Sequence, residues 1–290
     1  MKRILIATDF STHAERALHH AAAMARRFGA EVELLTSVYV APVAAGPHVA
    51  AFPEDFTAYL REQAAERIER LAAGLRRDGL EVRGTVSLEA AAPAILSRAE
   101  EWEADLVAVG TRGLTGIAHV LLGSVAERVA RLAPCPVLTA HAETPEPGEI
   151  RTILVPTDFS EHAEAALEWA RRLAVKTGAR IVLVHAYYLP PGVETTALAA
   201  DELIEKDVVD AANRELEAIA RSVQDAPVDV IVARGRPCEA VVRVSREVGA
   251  DLLAIGSRGR SGLAHVMFGS TAERILRMAA APVVSLKRRS

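Results

Sequence analysis

Cysteine is nearly missing from this chain. Only Cys135 and Cys238 occur among its 290 residues, at non-equivalent points of the repeat described below. That scarcity argues against a disulfide framework or a cysteine-rich metal centre, and both thiols are expected to be buried and inert. Long hydrophobic runs are missing too. No apolar stretch reaches the roughly 18 residues of a membrane helix, and the opening MKRILIATDF places charge where a secretory leader needs apolar sequence. A cytoplasmic protein is the expectation, with no membrane partner. Charge of one sign is also lacking. The formal net charge is -4, so no basic field recruits nucleic acid, and any anion site must be local. What is present is a globular balance of 50% hydrophobic and 25% charged residues, in a chain long enough for two domains.

The chain repeats itself. KRILIATDFSTHAERAL (Lys2 to Leu18) is answered by RTILVPTDFSEHAEAAL (Arg151 to Leu167), and ADLVAVGTRG (Ala104 to Gly113) by ADLLAIGSRG (Ala250 to Gly259). A period near 150 with two copies indicates a duplicated domain rather than a solenoid. The domains are expected at 1–141 and 150–290, and HAETPEPGE suggests a short exposed linker over 142–149.

Within copy one, short apolar runs without clean alternation suit strands buried on both faces: Ile4–Ala7, Val32–Val40, Val82–Leu88, Asp105–Gly110 and Pro136–Ala140. Helical stretches separate them at Ser11–Phe28, Glu54–Arg77, Ala92–Glu103 and Ser124–Leu132. Gly29 and Gly178 stand where a C′ glycine ends the first helix of each copy. Strands alternating with helices predict an α/β fold of two tandem doubly wound five-stranded parallel-sheet domains. With strand order 3-2-1-4-5, Asp9 after strand one and Gly110 at the end of strand four flank the switch point, where ligands bind.

The stretch GTRGLTGIAHVLLGS (Gly110 to Ser124) recurs as GSRGRSGLAHVMFGS (Gly256 to Ser270). Neither is a Walker A loop, since no lysine follows the glycine, and neither is a dinucleotide fingerprint, which follows the first strand. One reading is a glycine-rich turn with Ser124 as a helix N-cap. The other is a phosphate cradle at a helix N-terminus, where unpaired N–H groups meet anions. Thirteen identities over the 21 residues Ala104–Ser124 and Ala250–Ser270 favour the cradle. Asp9 and Asp158, in TDFS, either cap a helix or, because Ser11 and Ser160 are available as caps, accept ribose hydroxyls or help hold Mg²⁺. Arg112 and Arg258 either pair with phosphate or point to solvent. His119 and His265 read as packing or capping residues, and His19 and His20 as solvated surface.

These motifs make the chain resemble a tandem universal stress protein, two UspA-type domains in one polypeptide, over essentially its full length. The fold that resemblance implies is adenine nucleotide alpha hydrolase-like. In the family the Gly-x-x-Gly-x9-Gly-Ser loop is an ATP-binding signature. The resemblance implies that Gly110, Gly113, Gly123, Ser124 and Val125 wrap phosphates and ribose in copy one, with Asp9 on the ribose and the backbone of Val38 on adenine. In copy two it implies Gly256, Gly259, Gly269, Ser270 and Thr271, with Asp158 and the backbone of Ala186. Pro156 keeps a family proline that Ala7 replaces. Gly235 and Pro237 keep a Gly-x-Pro that copy one lacks, with Glu89 in the glycine's place, so copy two is expected to bind more tightly. The resemblance further implies pairing of the two domains through their last strands, homodimerisation of the chain, and a nucleotide-responsive stress role. A slow ATPase and a carrier of some other ligand are the alternatives; no paired acid and base point to catalysis.

Overall fold

The computed structural model describes residues 1–40, 43–45, 48–50, 54–112, 122–188, 198–259 and 268–287. The chain divides into two compact units, Met1–Pro147 and Gly148–Ser290.

In the first unit the order is β1 (Arg3–Ala7), α1 (Thr12–Phe28), β2 (Glu31–Ser37), β3 (Val43–Ala45), β4 (His48–Ala50), α2 (Glu54–Arg77), β5 (Val82–Ser87), α3 (Ala91–Glu101), β6 (Leu106–Gly110), α4 (Ser124–Leu132) and β7 (Val137–Ala140). Five strands pair in parallel as β5-β2-β1-β6-β7, which is 3-2-1-4-5 when they are counted along the chain. The short antiparallel pair β3 and β4 is an addition the periodicity did not announce.

The second unit runs β8 (Thr152–Pro156), α5 (Glu161–Thr177), β9 (Arg180–Tyr187), α6 (Leu198–Ser222), β10 (Val228–Arg234), α7 (Pro237–Glu247), β11 (Leu252–Gly256), α8 (Ser270–Met278) and β12 (Val283–Leu286). Its strands pair in parallel as β10-β9-β8-β11-β12.

The apolar runs mark the core. Ile4, Leu5 and Ile6 of β1 and Leu106, Val107 and Ala108 of β6 are all sealed from solvent, as strands covered on both faces must be. Helix α1 ends at Gly29, whose φ of 62° and ψ of 40° put it in the left-handed region, and its N–H donates to the Ala25 carbonyl. Gly178 ends α5 in the same way.

Expected boundaries shift by more than one residue at two places. The second strand stops at Ser37 rather than Val40, and α3 stops at Glu101, because Glu103 turns left-handed with φ of 49°. The expected exposed linker is also partly docked. Thr144 is buried, His20 donates its Nε2–H to the Pro145 carbonyl at 2.9 Å, and Glu146 pairs with Arg16 and His19. His20 is therefore not solvated surface; burial pushes its imidazole below the ordinary value. Both cysteines are buried, and burial pushes the Cys238 thiol up. Among the described residues no helix is long and apolar enough to cross a membrane.

Candidate functional site: two clefts at the switch points

In each unit the first strand lies beside the fourth, so β1 beside β6 and β8 beside β11, and the chain winds away from that pair in opposite directions. A cleft of about 290 Å³ opens there in both units. The first is lined by the β1–α1 turn (Ala7, Thr8, Asp9), the end of β2 (Leu35, Ser37), the start of α3 (Ala91, Ile95), the end of β6 (Gly110, Arg112) and the start of α4 (Gly123 to Ala126). The second draws on the matching elements: Pro156 to Asp158, Val184 to Ala186, Pro237 and Val241, Gly256, Arg258 and Gly259, and Gly269 to Ala272.

The TDFS turn has the same construction in both units. Phe10 and Phe159 hold left-handed backbone, φ 64° and 62°, which side chains rarely adopt. Their N–H groups donate to Thr8 Oγ1 at 2.9 Å and Thr157 Oγ1 at 3.0 Å, so the threonine hydroxyl holds the turn. Asp9 Oδ1 then accepts from the Ser11 N–H at 3.0 Å, and Asp158 Oδ1 from the Ser160 N–H at 3.1 Å. Ser11 and Ser160 are the N-caps, each accepting at 3.3 Å from the N–H three residues on. The capping serines are as expected, but the aspartates are not wholly released by them: one oxygen of each fixes the turn.

Opposite stands a helix start built differently. Gly123 and Gly269 are the N-caps of α4 and α8, with extended backbone and no side-chain cap. Their own N–H groups donate to the carbonyls of Thr111 at 2.8 Å and Ser257 at 2.9 Å, and the first helical bonds run from Glu127 N to Gly123 O and Glu273 N to Gly269 O. The three residues between have no carbonyl four places back within the helix. Ser124, Val125 and Ala126, like Ser270, Thr271 and Ala272, thus bring a helix's positive end to the cleft wall. Ser124 is the first helical residue, so the reading of it as the N-cap is corrected.

The glycines have distinct jobs. A Cβ on Gly110 would lie 2.6 Å from the Ala14 nitrogen, and one on Gly256 2.8 Å from the His162 carbonyl carbon. These glycines let the fourth strand touch the backbone of the first helix, so close packing alone demands them. A Cβ on Gly259 would sit 2.6 Å from Asp158 Oδ2. That glycine makes room for the aspartate, which joins the glycine loop to the TDFS turn. Gly113, the counterpart of Gly259, lies outside the described residues, as do His119 and His265.

All the other expected positions line the clefts except Val38. Register explains the miss. Pairing of Ala7 with Leu35 and of Pro156 with Val184 makes Ser37 the partner of Ala186. Ser37 lines the cleft, whereas Val38 donates its N–H to the Ser87 carbonyl at 2.8 Å. Glu89 is exposed and outside the cleft lining; the Ser37 hydroxyl bonds its carbonyl oxygen. Its carboxylate is thus not part of the cleft wall. Gly235, its counterpart, has φ of 134°, a conformation glutamate avoids, so the turn after β5 is rebuilt in copy one.

Sequence reasoning overlooked Thr8, Thr157, Ser37 and His185. The repeated Thr two residues before Phe was the available signal for the first two. His185 lines the second cleft, donates Nδ1–H to the Thr157 carbonyl at 2.9 Å, and packs on the Phe159 ring at 4.6 Å. In the first unit Arg67 covers the Phe10 ring instead, at 3.9 Å.

Comparison with known proteins follows the same division. The universal stress protein family model matches residues 1–141 and 149–287. The chain is 32% identical to the universal stress protein Rv2005c of Mycobacterium tuberculosis over 185 residues, 63% of this chain and 61% of that relative. A universal stress protein of Mycolicibacterium smegmatis is 26% identical over 99% of this chain and 97% of its own. The crystal structure of a universal stress protein from Archaeoglobus fulgidus superposes with a TM-score of 0.72 at 24% identity, over 99% of this chain and 98% of that one, and shows the same fold.

Proposed function

Since the chain belongs to the universal stress protein family, we propose that each of its clefts binds one adenine nucleotide, and that the protein acts through occupancy rather than turnover. The observation that carries this reading is the contrast between facing helices. α1 and α5 are capped by their own serines, while α4 and α8 present glycine, hydroxyl-bearing residues and no side-chain cap to the same cleft. Phosphate oxygens are suited to that helix start. Arg112 and Arg258 line the clefts and add positive charge beside it. Asp9 and Asp158 suit the ribose hydroxyls.

Magnesium fits only as a companion of the nucleotide. Among the described residues no group of three His, Cys, Asp or Glu side chains could hold a metal, so the phosphates would supply most of its ligands and Asp9 or Asp158 one. A bound nucleotide then bridges the β1–α1 turn and α4, or β8–α5 and α8, and biases the state in which a partner is met.

Mass analysis of small molecules released by denaturing the freshly purified protein tests the proposal. ATP is the expected release. ADP alone keeps hydrolysis open, and no nucleotide together with a flat ATP titration would overturn the reading itself.

A further inference from the structure

We propose that Tyr39 and Tyr188 are stacking surfaces for the planar base of the bound nucleotide, one at the mouth of each cleft. This inference rests on the nucleotide reading above and adds to it the residues that grip the base. The chain has four tyrosines, and two of them occupy the same position in the two copies, one or two residues past the ends of β9 and β2. Both rings stand open to solvent, at 55% and 42% exposure. The sequences that follow have diverged, VAPVAAGPHV after the first and LPPGVETTAL after the second, yet the tyrosine is kept.

Chain position places the pair. Leu35 and Ser37 line the first cleft, and Val184 and Ala186 the second. Tyr39 and Tyr188 follow two residues later, past the strand ends and just outside the lining residues. Tyr187, the last residue of β9, donates its hydroxyl to Glu205 of α6 at 2.5 Å. A second contact ties Tyr188 to the rim. The Arg236 guanidinium lies 5.7 Å from its ring centroid, and Arg236 is the N-cap of α7, whose first residue, Pro237, lines the cleft. A cleft of about 290 Å³ is at the low end for enclosing a drug-sized ligand. With the phosphates on α4 or α8, the base reaches outward to the strand ends, and a π-face there holds it without reading its edge.

ATP titration of the full chain tests this in three proteins: wild type, the pair Tyr39→Ala with Tyr188→Ala, and the pair Tyr39→Phe with Tyr188→Phe. The alanine pair should weaken ATP binding about tenfold or more, and the phenylalanine pair should bind as wild type does. Tripolyphosphate, which lacks the base, should behave alike in all three. Wild-type ATP affinity in the alanine pair would overturn the proposal, as would equal weakening of ATP and tripolyphosphate or a phenylalanine pair as weak as the alanine pair. Failure of the wild type to bind any adenine nucleotide would sink the underlying reading instead, and it is recognised without any variant.

Discussion

The two units form the same cleft over different interiors. Beneath the first, β2 carries Glu33 at 0% exposure, where it accepts from Thr85 at 2.8 Å, Arg98 at 2.8 and 3.0 Å, and Arg83 at 2.8 and 2.5 Å. The same register in the second unit places Val182 at the glutamate's position, Ile231 at that of Thr85 and Val244 at that of Arg98. Arg83's place is taken by Asp229, which pairs with Arg180 at the surface, so a buried ion network in one unit and aliphatic side chains in the other support one site geometry. The TDFS turn and the bare helix start are local backbone constructions, so the core below them can change its chemistry without moving them. What the copies hold in common is the backbone of the turn and of the helix start, and what differs is open to independent testing.

The largest effect should come from a feature the copies share. Gly110→Ala and Gly256→Ala each push a methyl group into the backbone of the first helix, and each should destabilise its unit by about 3 kcal/mol, measured by denaturant unfolding. If either is tolerated, that contact is not the reason for the glycine.

Glu33→Gln should separate the units next. It leaves Arg98 and Arg83 without their buried carboxylate and should cost the first unit about 2 kcal/mol, reduced from the fully buried case because both arginines reach solvent. The pH dependence has a definite sign. Burial alone would raise the Glu33 carboxyl, but the hydrogen bonds from Arg98, Arg83 and Thr85 outweigh it and hold it below its ordinary value. Its stabilisation is full above the unfolded value of about 4.3 and is lost as pH falls through the lower folded value. Hydrogen exchange read unit by unit should therefore show the first unit loosening from this source below about pH 4.3, with no such contribution in the second.

A smaller difference lies at the cleft wall. Thr271 stands where the first unit has Val125, giving the helix start at the second cleft a hydroxyl that the first lacks. A hydrogen bond to a charged phosphate is worth roughly 1.5–3 kcal/mol, so the second site should bind ATP about tenfold more tightly or better, and Thr271→Val should abolish the difference in calorimetry. The smallest effect concerns matched hydroxyls behind the loops. Thr111 Oγ1 donates to the Ala140 carbonyl at 3.2 Å and lies 3.0 Å from His141 Nδ1, while Ser257 Oγ is buried with no hydrogen-bond partner among the described residues. Thr111→Ala should lose about 1 kcal/mol, and Ser257→Ala should be neutral or slightly stabilising; thermal unfolding of both variants checks the contrast.

How much of this could be read from sequence follows from how local each signal is. The apolar runs, the capping serines and Gly29 announce themselves within a few residues, and the adjacency of Asp9 to the glycine loop follows from the winding of a parallel sheet. Register is not local. Val38 is the residue the sequence suggests and Ser37 the one that meets the cleft, because only pairing with β1 fixes the register of β2. The roles of Gly110 and Gly259 are equally hidden, since one avoids the backbone of α1 and the other the Asp158 carboxylate, each from a distant part of its copy. Glu33 looks like an ordinary charged residue in a strand until Arg83 and Arg98, 50 and 65 positions away, close over it.

Calorimetric titration of the intact protein with ATP tests the central claim most directly. Two binding events of unequal affinity are expected, the tighter one lost on Gly269→Val while the fold persists. An isotherm with no binding would contradict the claim that the bare starts of α4 and α8 are phosphate sites.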